Sequence, residues 1–420
     1  MKQLIFLTVF CLLAKIPAEA QTPVVTMTTT KKAVNVSIEW TGDGSLTANG
    51  EELENGLNVE NWITATADGS VVLTATGDAQ ITHLHCSGYE NSLTTLDVTK
   101  CPALIELICS YNTSLTALDV SNCPELKKLD CQYNSLSALN VTKCPKLDSL
   151  VCSDNSLSAL DVSKCPELTS LDCSDNSLSA LDVTKCPKLI SLACGDNSLT
   201  ILDVSKCPEL ASLDCSMNPL SALDVTKCPA LNGLWCLENS LSVLDVTNCP
   251  ELTILTCDFN SLSALDVTNC PKLTRLSCSH NSLTHLDITN CPELTLLWCE
   301  QNSLSALDIS KCRKLEKLSA HYQFIELPEV RIDDDKLSIK NSITYTGAEV
   351  IIRYISHNGT YTDNNFTWNL QGESGELTFY FTTKLPDGVS GDPFHGIVTQ
   401  PWLKSKNDST EASMSTAVSM

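Results

Sequence analysis

Positive charge and aromatic side chains are both scarce in this sequence. The 420 residues include 27 lysines and arginines against 50 aspartates and glutamates, which gives a formal net charge of −23, and only 5% are aromatic. Nucleic-acid binding depends on clustered positive charge that contacts phosphates. A nucleic-acid partner is therefore not expected.

Long apolar runs and catalytic motifs are also missing. Beyond the first twenty residues, no segment reaches the ~18 consecutive apolar residues needed to cross a bilayer, so no transmembrane segment is predicted in the mature chain. The motifs GxSxG and HExxH and phosphate-binding glycine loops are absent, and the seven histidines are scattered. We expect no enzymatic activity, no catalytic residue and no cofactor.

The first twenty residues have the pattern of a secretory signal peptide. Lys2 precedes a mainly apolar stretch from Leu4 to Ala14, and Ala18-Glu19-Ala20 forms an A-x-A cleavage site. Cleavage after Ala20 is predicted. The mature chain is then expected to be secreted or held at the cell surface.

What the sequence has in abundance is a 21-residue repeat. One unit reads LTSLDCSDNSLSALDVTKCPK, from Leu168 to Lys188, and about eleven such units occupy residues 81–322. Each unit holds two similar halves, LxxLxCxxN and LxxLDVxxC, which is the leucine-rich-repeat pattern written twice. The chain is therefore expected to form a leucine-rich-repeat solenoid.

Side-chain alternation within the unit predicts strands. Leu171 and Cys173 should point inward and Asp172 outward, and the LDV segment of the second half follows the same alternation. No unit has room for a helix, because Cys-Pro interrupts the remaining segment. We predict a mostly β fold with two short parallel strands per coil, little helix and weak curvature.

One asparagine per unit falls where the chain leaves the first strand. An inward amide can donate and accept, so it can satisfy backbone groups in a buried turn. A structural role is predicted for Asn112, Asn134, Asn155, Asn176, Asn197, Asn218, Asn239, Asn260, Asn281 and Asn302.

The flanking segments alternate apolar and polar residues. Because the ends of a solenoid need caps, residues 21–80 are predicted to form an N-terminal β cap. Residues 323–404 contain six or seven short strand-like runs and are predicted to form an Ig-like β-sandwich. The polar residues 405–420 are expected to form a disordered tail.

Two columns of cysteines accompany the leucines of the repeats. An exported chain with 23 cysteines, one of them in the signal peptide, is compatible with disulfides. Both columns point inward, however, and parallel side chains in adjacent coils give a poor disulfide geometry. Spacings of 8 and 13 residues without a CxxC pair give zinc little support. Unpaired core thiols are favoured, with some disulfides or a metal as the alternatives.

A column of aspartates faces outward in the second half of the units. Lysines three residues later offset this charge in seven units, and asparagines replace them in three consecutive units. A calcium site at Asp245, Asp266 and Asp287 is one hypothesis. The favoured one is a solvated carboxylate ladder that is hydrogen-bonded to neighbouring serines and threonines, with no metal.

The outward positions of the first strand are the ones that the fold leaves unconstrained. Early and middle coils carry small or acidic residues there, whereas later coils carry aromatic and apolar ones. Exposed aromatics cost solubility and concentrate binding energy, so a partner-binding surface is predicted. The alternatives are that a flanking domain covers these residues or that they have no role. The surface comprises Trp235, Leu237, Ile254, Thr256, Phe259, Arg275, Leu296 and Trp298.

The repeats and the block that follows them resemble the internalin-like leucine-rich-repeat surface proteins of bacteria. The resemblance rests on LxxLxCxxNxLxxLDVxxC in the repeats and on IELPEV, TYTDNNFTWNLQGESGELTFYF and GIVTQPW, which are similar to the Ig-like domain of that family. It implies an exported adhesion or interaction protein whose repeats bind an extracellular protein or glycan, including one from a host. A structural spacer or self-assembling surface component without a specific ligand is the alternative. The sequence departs from the family in having no LPxTG sorting signal, which leaves release or non-covalent retention open.

Overall fold

The computed structural model describes residues 22–326 and, after them, the segments 330–332, 336–340, 344–346, 350–355, 360–362, 365–369, 374–383, 389–393 and 395–404. The secondary structure of these residues is β-strand, with no helix in them. The chain divides into two compact units, Met1–Cys165 and Pro166–Met420. The predicted signal peptide and C-terminal tail lie outside the described residues.

The first unit begins with strands that alternate buried and partly exposed residues. Val34, Val36 and Ile38 alternate in this way and turn one face into the core. The strands are β1 (Thr22–Thr29), β2 (Ala33–Thr41), β3 (Leu46–Ala48), β4 (Glu51–Glu52), β5 (Gly56–Thr64) and β6 (Ser70–Ala75). The strands of the following coils are β7 (Gln80–His85), β8 (Leu93–Asp97), β9 (Glu106–Ile108), β10 (Lys128–Asp130) and β11 (Ser149–Val151).

Strand β7 joins the N-terminal segment to the repeats of the first unit. It pairs antiparallel with β2 on one side and parallel with β9 on the other. Strand β1 pairs with β8, which belongs to the second half of the first coil. The N-terminal strands therefore continue both sheets of that coil and give its edges hydrogen-bond partners.

The second unit repeats one parallel strand in each successive coil. The pairs are in register, as in Leu234 with Leu255 and Leu255 with Leu276, and each of these leucines is fully buried. The strands are β12 (Ser170–Asp172), β13 (Ser191–Ala193), β14 (Ser212–Asp214), β15 (Gly233–Trp235), β16 (Ile254–Thr256), β17 (Arg275–Ser277) and β18 (Leu296–Trp298). This architecture confirms the predicted mostly β leucine-rich-repeat solenoid with 21-residue coils.

The second half of most coils is extended, but its strand is shorter than the alternation of apolar and polar residues predicted. Asp224, Asp245 and Asp266 join only through isolated parallel bridges. The cause is local: the Asp245 carboxylate accepts from Thr247 N at 3.0 Å, and Cys249 N donates to Val246 O at 3.0 Å. The chain therefore turns directly after LDV, and no longer ladder can form.

The asparagine column has the predicted structural role. Asn218 Nδ2 donates to the carbonyls of Cys194 and Cys215, at 3.0 and 3.2 Å, and its Oδ1 accepts from Leu199 N at 2.9 Å. Each amide thus joins its own turn to the preceding coil. Gln323 takes the same position in the last coil, where its Oε1 accepts from Leu304 N at 2.9 Å.

The residue before each of these asparagines adopts a left-handed backbone conformation, which the sequence did not predict because none of these residues is glycine. The positive φ of this conformation costs free energy in a residue with a β-carbon. The hydrogen bonds of the turn hold it, as when Phe259 N donates to Ser279 O at 3.0 Å. The residues are Tyr111, Tyr133, Asp154, Asp175, Asp196, Met217, Glu238, Phe259, His280 and Gln301, and Tyr322 adopts the same conformation before Gln323.

Both cysteine columns lie in the core as thiols. Thiols of the column before the prolines face carbonyls of the preceding coil, as in Cys144 Sγ to Val120 O at 3.5 Å. Burial raises the pKa of Cys123 to about 11 and that of Cys86 to about 12. These thiols therefore pack as small apolar groups and stay protonated at neutral pH.

Strands after the repeats continue the edge of the last coil. Strand β20 (Lys317–Ser319) pairs parallel with β29 (Ser390–Asp392), and β19 (Ala306–Asp308) pairs parallel with β24 (Thr344–Thr346). The remaining strands are β21 (Gln323–Glu326), β22 (Val330–Ile332), β23 (Lys336–Lys340), β25 (Val350–Ile355), β26 (Thr360–Thr362), β27 (Asn365–Asn369), β28 (Ser374–Thr383) and β30 (His395–Lys404).

The block after the repeats contains a mixed sheet. Strand β30 pairs antiparallel with β28 but parallel with β21 and β22. Strands β23, β26 and β27 form a separate antiparallel sheet. Ig-like sandwiches are built from antiparallel sheets, so the parallel pairs depart from that pattern, and the Ig-like assignment stays a prediction.

Candidate partner-binding surface

The predicted surface residues lie together in the second unit, on strands β15 to β18 and the turns that follow β15 and β16. Pairing places Trp235 beside Thr256, Thr256 beside Ser277, and Ser277 beside Trp298. Three strand spacings of about 4.8 Å put the two tryptophan backbones about 14 Å apart. The two indoles therefore flank a floor of hydroxyl side chains.

The two tryptophans differ in exposure. Trp298 is 42% exposed, whereas Trp235 is half-buried because its ring lies over Gly233. A β-carbon at Gly233 would lie 2.6 Å from Cζ3 and Cη2 of that ring. The missing side chain at Gly233 lets the Trp235 indole lie flat on the sheet, whereas the Trp298 indole is more exposed.

The neighbouring column and turns extend this surface. Ile254 and Leu296 are half-buried on either side of Arg275, which is exposed. Leu237 is half-buried. Phe259 is 49% exposed and stacks on His280, with ring centroids 3.9 Å apart. The predicted set is thus contiguous, with apolar and aromatic groups around one cation.

Sequence reasoning missed the buried polar pair that Asp258 forms with Ser277 of the floor. Asp258 and Ser277 are both buried, and Ser277 Oγ donates to Asp258 Oδ1 at 2.5 Å. Burial raises the pKa of Asp258, and hydrogen bonds from Ser277 and Ser279 partly offset that rise. The sequence did contain a signal for this pair, because Asp258 is a carboxylate at a repeat position where most units have serine.

A second exposed aromatic group, in the first unit, was also missed. Tyr111 and Tyr133 stack with centroids 4.6 Å apart, and Tyr89 meets Tyr111 edge-on at 5.2 Å. The signal was the recurrence of tyrosine before the asparagine of consecutive units. Stacking therefore covers one face of each of the Tyr111 and Tyr133 rings.

The outward aspartates are held by hydrogen bonds, as the favoured interpretation predicted. In Asp224, bonds from the side chain and backbone of Thr226 lower the carboxyl pKa more than Lys227 does. The lysine is therefore not the main offset, which corrects the expectation. At Asn140 the same turn forms without charge, with Thr142 N donating to Oδ1 at 3.0 Å.

A different column of lysines, after the prolines, forms ion pairs with glutamates of the preceding coil, 21 residues earlier. The Nζ–Oε2 distances of the pairs Lys188–Glu167 and Lys272–Glu251 are each 2.5 Å, and both pairs lie on the exposed surface.

Among the residues that the structure describes, no group of three or more acidic, histidine or cysteine side chains is arranged to hold a metal. That same part of the chain has no helix with the length and apolarity to traverse a bilayer.

Comparisons with known proteins agree with the repeat architecture. The family model described as LRR adjacent matches residues 347–403. The functional domain of InlJ from Listeria monocytogenes, which includes a cysteine ladder, is 30% identical over 76% of this chain and 81% of that one, with a TM-score of 0.55. InlP from the same species is 19% identical over 77% and 88% of the two chains, with a TM-score of 0.45. The chain belongs to the internalin-like leucine-rich-repeat proteins.

Proposed function

We propose that this chain is an exported bacterial interaction protein that binds an extracellular protein or glycan, including one from a host, through the surface from Trp235 to Trp298. The observation that carries the proposal is the exposure of Trp298 in the same column as Trp235. A large indole on a solvated sheet does not stabilise the core, and tryptophan is enriched where binding energy concentrates.

The in-register sheet supports a rigid mode of binding. Parallel pairing fixes the backbones of β15 to β18 before a partner arrives, so little conformational entropy is lost on association. The predicted signal peptide, cleaved after Ala20, supports a location outside the cytoplasm, either secreted or at the cell surface.

The test is a binding screen with the purified mature chain against extracellular proteins and glycans. Trp235→Ala combined with Trp298→Ala should abolish capture of the partner while the melting temperature stays within a few degrees. Ile201→Ala combined with Val243→Ala is the matched control, because these apolar side chains are 75% and 70% exposed in the other half of their coils. Equal capture by the wild type and the tryptophan variant would refute the surface.

The second candidate is a structural surface component that assembles laterally. The exposure of Ile201 and Val243, at equivalent positions two coils apart, favours it. Sedimentation of the mature chain at increasing concentration tests it. Association that is lost in the Ile201 and Val243 variant, together with no captured partner, would favour assembly over ligand binding.

A further inference from the structure

A polar row lies beside Trp298 in the second unit. Asp258, Ser279 and Glu300 each follow the second-column cysteine of consecutive coils. The coils stack in register here, because Phe259 N donates to Ser279 O and His280 N donates to Glu300 O, both at 3.0 Å. The three side chains are therefore neighbours about 4.8 Å apart along the stack.

Two polar atoms of this row, Ser279 Oγ and Glu300 Oε2, are buried, and neither accepts a hydrogen bond from the described residues. The Ser279 side chain is nearly inaccessible, with 3% of the residue exposed. An unsatisfied buried polar group costs about 1–3 kcal/mol, and more when it is charged. A group that binds here and donates hydrogen bonds would recover that cost.

The neighbouring side chains do not supply the missing donor. Ser277 Oγ and Ser279 N both donate to Asp258 Oδ1, at 2.5 and 2.9 Å. His321, which follows Glu300 in the row, directs Nδ1 to Ser319 Oγ at 3.0 Å. The row is thus hydrogen-bonded at its Asp258 end, whereas Glu300 Oε2 is left without a donor.

The charge of the neighbouring carboxylates decides which kind of hydrogen-bond donor fits this row. After burial and the neighbouring thiols, Asp258 and Glu300 both raise the pKa of the Cys278 thiol beneath them, so the local potential is negative. Glu300 follows Trp298 by two residues and so lies on the same side of the strand. An indole face attracts cations, and a carboxylate accepts but does not donate. A neutral hydroxyl donor would leave the negative charge unbalanced.

We propose that Trp298, Ser279 and Glu300 form a pocket for a lysine or arginine side chain of a protein partner. The inference rests on the proposed function and deepens it, because it selects a protein with an exposed basic residue over a glycan. The aliphatic stem of the basic side chain packs on the indole, and its charged end donates to Glu300 Oε2 and Ser279 Oγ.

The test uses the full mature chain labelled with 5-fluorotryptophan, with Trp298→Phe to assign the fluorine resonance of Trp298. Acetyl-Gly-Lys-Gly-amide should shift that resonance, and the same peptide with norleucine in place of lysine should not. Glu300→Gln should weaken lysine-peptide binding at least about tenfold, the loss expected for one charge-assisted hydrogen bond. Glu238→Gln, at an exposed carboxylate in the turn after β15, is the control and should bind as the wild type does.

Three results would overturn the pocket: equal shifts with the lysine and norleucine peptides, no effect of Glu300→Gln, or a Trp298 response only to calcium chloride or maltotriose. The remaining tryptophan resonances report whether each variant is folded. If Trp298→Ala no longer binds the partner found in the screen, while Glu300→Gln binds both partner and peptide with wild-type affinity, the binding surface is supported and the pocket is refuted.

Discussion

The indole of Trp235 lies across Gly233, two residues earlier on the same strand, where a β-carbon would come within 2.6 Å of two ring atoms. Gly233 is buried beneath this ring. The exposure of Trp235 is therefore set by the residue at position 233 as well as by its own place in the repeat.

Gly233→Ala should lift the indole from the sheet. Because the obstructing atoms are the far end of a side chain, the melting temperature should change by only a few degrees, while the Trp235 fluorescence shifts towards that of an exposed indole. Affinity for the partner should fall, since the flat surface is lost. Ser212→Ala, at the equivalent position of the preceding strand, is the control. An unchanged Trp235 emission would contradict the packing.

The asparagine ladder should be a major source of stability within the second unit. Asn218→Ala removes the partners of three carbonyls and of Leu199 N–H, so unfolding in urea should show a loss of about 3 kcal/mol. Asn232→Ala, at an exposed position of a nearby coil, should change the free energy of unfolding by less than about 0.5 kcal/mol. Similar losses in both variants would argue against the ladder.

The outward aspartates should make stability fall in acid. Hydrogen bonds from Thr226 lower the pKa of Asp224 from its usual 3.8, so its contribution is present above pH 3.8 and is lost as the pH falls through the lowered pKa. Asp224→Asn should keep the turn, as Asn140 does, but lose this pH dependence. Asp224→Ala should cost about 1 kcal/mol at pH 7. Identical pH profiles for the wild type and the asparagine variant would disprove the linkage.

The core thiols should be unreactive in the folded chain. Burial raises the pKa of Cys123 to about 11, so little thiolate exists at pH 8 and iodoacetamide should label the native chain slowly. After denaturation without reductant, most thiols should be labelled rapidly, as counted by mass spectrometry. Labelling of fewer than half would show that the columns hold disulfides.

The repeat architecture could be predicted because each position of the 21-residue unit has the same environment in every coil. Leucine and cysteine recur at period two on the strand, so Leu171 and Cys173 could be placed in the core and Asp172 at the surface. The asparagine column was predictable for the same reason, since only an inward amide satisfies a turn that recurs in every coil.

The candidate site was predictable only in part. The outward column containing Trp235 and Trp298 follows from the period, but the packing of Trp235 on Gly233 depends on a side-chain rotamer that no spacing encodes. The burial of Asp258 was also missed, because its column faces outward and the hydrogen bonds that enclose it come from Ser277 and Ser279 in the next coil. Contacts between coils, and not residues within one unit, decide these features.

The partner's dissociation constant for Trp298→Ala, relative to wild type and to Val243→Ala, tests the central claim most directly. Loss of an exposed indole from the binding surface should raise the dissociation constant more than about tenfold, whereas Val243→Ala should leave it within about twofold. All three chains should melt within a few degrees of one another. Wild-type affinity in Trp298→Ala would contradict the proposal that this part of the sheet is the binding surface.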